Sequence, residues 1–166
     1  MAGALTVEQG RALKRIANDL LVQAEATVVM LTDIGGNMIA QVPPRDDPNL
    51  PTMAALAAGA FSATRAVASL TGETGFRSVS HEGEQTSLFV QSLADEYLLV
   101  IVYQKTTTLG LVKLYARRAG EEASEVLAAV REQTAAAVAP DTLFVMSEAQ
   151  SDIFANAETA PVGHAL

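Results

Sequence analysis

The chain has no cysteine among its 166 residues. A disulfide framework and a thiolate metal site are both closed to it. Histidine is nearly missing as well, with His81 and His164 the only two. A metal site would need carboxylates, and His81-Glu82-x-Glu84 lacks the HExxH spacing, so no metal is expected. Basic charge is scarce: 11 Lys and Arg face 19 Asp and Glu, leaving −8. That balance disfavours nucleic acid and anionic membrane as main partners. No apolar run is expected to reach the length of a bilayer span. The N-terminal MAGALTVEQG has no basic stretch followed by an apolar one, so no signal peptide is expected. These absences point to the cytoplasm. GxxxxGK[ST], GxGxxG and GxSxG are missing too. No standard nucleotide cradle, no nucleophile elbow and no catalytic residue of its own is expected. A small-molecule sensor would need convergent polar groups, and none stand out. The sequence reads as a binding module without a cofactor.

What is present is apolar: 49% of the residues are hydrophobic. The centre of gravity is residues 51–70, PTMAALAAGAFSATRAVASL. Pro51-Thr52 reads as a helix start with Thr52 as N-cap, and the run of alanines favours helix. Arg65 is its only charge, so it has no broad polar face. Three stripes lie side by side on a helical wheel. One is Leu56, Ala60, Ala63, Val67 and Leu70. The second is Ala57, Phe61, Thr64 and Ala68. The third, all small residues, is Ala55, Ala58, Ser62, Ala66 and Ser69. A surface helix needs one buried stripe, and this one offers nearly three. The expectation is that one packs on the chain's own sheet and the others meet partners.

Around this helix the periodicities alternate. Residues 7–24 place Leu13, Ile16, Ala17, Leu20, Leu21 and Ala24 on one helical face, with Thr6 and Gln9 as a capping box. Residues 27–32 (TVVMLT) read as an inner strand, Asp33-Ile34-Gly35-Gly36-Asn37 as a turn, and residues 38–42 as the returning strand. Asp33 is a turn former rather than a catalytic group. Residues 43–51 (PPRDDPNLP) read as a loop because four prolines interrupt them. Residues 76–81, 86–91 and 97–103 read as three strands, YLLVIVY the most apolar and hence central. Phe76, Ser78 and Ser80 should face one way, Arg77, Val79 and His81 the other. A long helix spans 109–136, with Thr107 or Thr108 as cap. Hairpin-linked strands make the sheet antiparallel, so the fold class is α+β, a five-stranded sheet between helices in three layers. Two helices should cover one face and the central helix the other alone. The domain is expected over 1–138. Residues 139–166 read as an acidic, flexible tail, with Asp141, Glu148, Asp152 and Glu158 and no Lys or Arg after 140.

Four blocks in this order, MAALAAGAFSATRAVASLTGETGF, HEGEQTSLFV, YLLVIVY and TTTLGLVKLYARRA, resemble the Roadblock domain, within it the MglB-like bacterial regulators of Ras-like GTPases in cell polarity and motility. The likeness covers about residues 7–135. It implies a homodimer in which central helices pair and sheets join through the third strand. It also implies GTPase activation with two chains per GTPase, by repositioning the GTPase's own residues without an arginine finger. Carried onto this chain, Leu56, Ala60, Ala63, Val67 and Leu70 would face the sheet. Ala57, Phe61, Thr64 and Ala68, with Val79 and His81, would form the dimer interface. Ala58, Ser62, Arg65, Ala66 and Ser69 would form the GTPase platform. The roles of the two outer stripes could be exchanged. A non-catalytic scaffold that tethers a GTPase is the alternative implication.

Overall fold

The computed structural model describes residues 5–138; the tail expected over 139–166 lies outside them. The apolar stripe Leu13, Ile16, Ala17 and Leu20 becomes the buried side of α1 (Val7–Gln23). Its start is the expected capping box. The Thr6 hydroxyl accepts from Gln9 N–H at 3.2 Å, and the Gln9 side chain accepts from Thr6 N–H at 2.9 Å. β1 (Ala26–Asp33) and β2 (Met38–Val42) follow as a hairpin. At its turn the Asp33 carboxylate accepts from Asn37 N–H at 2.9 Å and from Asn37 Nδ2 at 2.7 Å. Gly36 has φ +88°, and a Cβ there would lie 2.6 Å from Ala55 Cα. Only glycine allows both that backbone and so close an approach to the next helix.

That helix, α2, runs from Asn49 to Leu70, two residues earlier than the sequence suggests. Pro48 is the N-cap, and the Asp47 carboxylate accepts from Asn49 N–H at 2.9 Å; Thr52 is not the cap. Pro51 sits inside the first turn, where its missing N–H would have had no helical partner. β3 (Ser78–His81), β4 (Thr86–Leu93) and β5 (Tyr97–Gln104) form a meander. β3 is shorter than expected because Phe76 leaves the strand path and sets its ring 5.1 Å from that of Phe61. The 30-residue α3 (Leu109–Val138) closes the described chain. Thr108 caps it, accepting from Leu111 N–H at 3.3 Å, while the Thr107 hydroxyl is buried without a partner.

The sheet order is β2-β1-β5-β4-β3, all antiparallel. β5 is central, as its continuous apolar run requires. Alternation of side chains divides the core in two. Val29, Leu31, Phe89, Leu93, Leu99, Ile101 and Tyr103 pack against α1 and α3. Val28, Met30, Val90, Leu98, Val100 and Val102 pack against α2 alone. On α3, Gly120 is buried against Gln91 and Leu93, and Gln91 Nε2 donates to Ala116 O at 3.3 Å. The missing Cβ lets this helix press onto β4.

Candidate functional site: the outward face of α2

α2 meets the sheet through Leu50, Ala54, Ala57, Ala58 and Phe61, Phe61 being fully buried. The sheet beneath already supplies bulk in Met30, Leu98 and Val100. Small alanines therefore face it and let the helix come close, with one aromatic ring as anchor.

This overturns the expected facing of the helix. Leu56, Val67 and Leu70 do not face the sheet; they are 69%, 61% and 88% exposed. Ala60 and Ala63 are exposed with them. Ala57 and Phe61, expected at a dimer interface, and Ala58, expected on a GTPase platform, lie inside the chain's own core. Of the other expected platform residues, Ser62, Arg65, Ala66 and Ser69 are exposed. Thr64 and Ala68 are half-buried on the helix flank, Thr64 donating its hydroxyl to Ala60 O at 2.8 Å. Val79 is half-buried and packs toward α2 with Leu88 and Phe76. His81 is exposed at the end of β3.

The outward side of α2 is thus Ala55, Leu56, Gly59, Ala60, Ala63, Ala66, Val67 and Leu70, without a charge. Twenty-two residues make a helix about 33 Å long at ~1.5 Å per residue. Beyond Phe61 no residue of α2 is fully buried, so its last turns project past the sheet's cover. By length and composition α2 is apolar enough to cross a membrane, which corrects the expectation that no stretch reaches that length. Its inner side, however, completes the second core of the sheet. A contiguous uncharged surface of this kind marks an interaction site. Beside it, β3 pairs only with β4 and leaves a strand edge open among the described residues.

Among the described residues three groups titrate away from their ordinary values. The Asn37 amide holds the Asp33 carboxyl below its ordinary range, against an opposing effect of burial. Burial raises Tyr97 and Tyr103. All three groups serve turns or core. A cavity of about 770 Å³ beside α3 and β3 mixes Arg77, Lys113 and Arg117 with Asp95 and Glu121, so it favours neither sign of ligand. Among the described residues no group of His, Asp and Glu could hold a metal.

Comparison with known proteins places this geometry. The family model "Roadblock/LC7 domain" matches residues 14–103, from α1 through most of β5. The gliding protein mglB of Thermus thermophilus is 31% identical, with a TM-score of 0.69 over 76% of this chain and 96% of that one. Myxococcus xanthus MglB is 28% identical, with a TM-score of 0.70 over 76% and 96%. A structure described as MglB with tetrameric arrangement is 30% identical, with a TM-score of 0.71 over 78% and 97%. No curated protein matches the chain significantly. With its sheet order, its solitary α2 and these relatives taken together, the chain belongs to the Roadblock/LC7 domain family.

Proposed function

We propose that this chain is a cytoplasmic, homodimeric activator of a Ras-like small GTPase in bacterial cell polarity and motility. The observation that carries the proposal is the uncharged outward face of α2, on a fold shared with gliding-protein structures. Two chains meet through the open β3 edge, Val79 and His81 lying along it and Thr64 and Ala68 on the adjacent helix flank. The paired α2 helices then offer Ser62, Ala66 and Ser69, with Leu56, Ala63 and Val67 beside them, as a platform for one GTPase. Arg65 contacts a partner carboxylate rather than the nucleotide, because a residue fixed on a rigid helix reaches poorly into a phosphate pocket.

Activation is a population shift. The dimer binds the GTP-bound conformer in its catalytic arrangement better than other conformers. A tenfold gain in that population needs about 1.4 kcal/mol of differential affinity. The chain supplies no group to the chemical step.

The test is GTP hydrolysis by the same organism's Ras-like GTPase as this protein is titrated in. The rate should rise and saturate near two chains per GTPase. Ser62→Arg and Ala66→Arg should abolish binding, and retained binding would exclude this platform. Co-elution with an unchanged hydrolysis rate would make the chain a tether instead of an activator.

A further inference from the structure

The edge of the sheet away from β3 is also open. Among the described residues β2 pairs only with β1, so its outer side presents backbone N–H and C=O groups without a strand partner. The strand reads MIAQV, with no charge and no proline of its own to block the addition of another strand. Two grooves flank this edge on the side of α1. One of about 610 Å³ is lined by Gln41, Val42 and Arg45 among others. The other, of about 390 Å³, is lined by Val7, Gly10 and Arg11 among others. Lys14, Ile39 and Ala40 line both.

Charge along the edge has one sign, in a protein whose net charge is −8. Arg11 stands by Ile39 at the start of β2, Arg45 lies just past its end, and Lys14 lines both grooves between them. All three are exposed, and Asp46 is the sole carboxylate lining either groove. Among the described residues no carboxylate pairs with Arg11, Lys14 or Arg45, and Arg45 donates to the Thr27 carbonyl at 3.3 Å. Gly10 adds a second, independent observation. It sits within α1, where glycine weakens a helix. A Cβ there would meet nothing within 4 Å, so no packing inside the described chain requires its absence. The missing side chain deepens the groove beside Ile39.

We infer that β2 is the docking edge for an extended acidic segment of another protein, which adds as a strand with one carboxylate toward Arg11 and another toward Arg45. Backbone pairing satisfies the open N–H and C=O groups, and the flanking charges fix the register. From Ile39 to Val42 the edge is about 10 Å long at ~3.3 Å per residue. The segment therefore carries its carboxylates about four positions apart at this rise, around an apolar side chain that enters the groove at Gly10. A second copy of this chain does not suit the edge. A twofold axis between two β2 strands would set Arg11, Lys14 and Arg45 against their own images, and like charges opposed in this way repel. The inference is independent of the GTPase reading, which uses α2 and the β3 edge. In that dimer both β2 edges stay open at the outer ends of the joined sheet.

The probe is a fluorescein-labelled peptide of alternating valine and threonine with aspartates at both ends, titrated into the full chain and followed by anisotropy. Its control has lysines in place of the aspartates. The acidic peptide should bind at least ~10-fold more tightly than the control. Arg11→Glu with Lys14→Glu and Arg45→Glu should remove or reverse that preference. Gly10→Gln should hold or raise the thermal midpoint, because glutamine is the better helix former, yet weaken the acidic peptide at least ~10-fold by filling the groove. Hydrogen exchange locates the contact. The acidic peptide should slow the outward amides of residues 38–42 at least ~10-fold and leave those of β3 unchanged. No binding of the acidic peptide, equal binding of both peptides, or slowing at β3 instead overturns the inference. Outward amides of 38–42 already protected in the free chain also overturn it. Protection at every dilution would assign the edge to the chain itself, and protection that grows with protein concentration to a second copy.

Discussion

The two faces of the sheet are built on different terms. Under one, α1 and α3 bury Leu13, Ile16, Leu20, Val112, Leu127 and Val130 and turn Arg15, Asp19, Arg117 and Glu121 to water. Each helix has a dry side and a wet side, and the layer is finished. Over the other, α2 covers the strands with three alanines, Leu50 and Phe61, and its far side carries Leu56, Val67 and Leu70 in place of charge. Burial alone cannot separate these cases, since both cores are dry. The placement of charge does: a helix whose back is charged ends its layer, and a helix whose back is apolar awaits another.

The comparison breaks first at Phe61. If one ring carries the contact of α2 with the sheet, Phe61→Ala should cost about 3–5 kcal/mol in urea unfolding. A loss under about 1 kcal/mol would mean that the alanine contacts hold the helix by themselves. A smaller effect is expected where the hairpin turn touches α2. Gly36→Ala forces a side chain into the left-handed region and against the Ala55 backbone. It should cost about 1–3 kcal/mol, seen as a lower thermal midpoint. The smallest effect sharpens the contrast. Leu70→Ser, at a residue 88% exposed, should change the stability of the dilute protein by no more than about 0.5 kcal/mol. The same change should weaken co-elution with the GTPase, and a protein that unfolds with it would show that this side serves the fold itself.

Element order was legible because the periods differ: alternation or continuous apolar runs in the strands, 3.6-residue stripes in α1 and α3. The Thr6–Gln9 cap and the Asp33 turn could be read from residue chemistry alone. The facing of α2 could not. All its stripes are rich in alanine, and the stripe with the most large aliphatics, Leu56, Val67 and Leu70, looks the most buried. The strands beneath it decide otherwise, since Met30, Leu98 and Val100 leave room only for small residues and one flat ring. What the sequence could show was that α2 has too little charge for a surface helix. That Phe61 is its bulkiest residue was the clue to its inner side.

The pairing of Asp33 with Tyr97 has a consequence for how the protein is made. β1 gains its first partner from the next few residues, but its second, β5, is synthesised only after α2, β3 and β4. At about 5–20 residues per second, ribosomes take seconds to cover that interval. Once residue 70 has been made, α2 is complete while β4 and β5, which seat its inner side, are still to come. Non-local pairing of this kind is slow to form. The newborn chain therefore carries residues 49–70 for seconds without the strands that seat their inner side, and the helix whose outward side is exposed in the finished protein is for that time bare on its inner side as well.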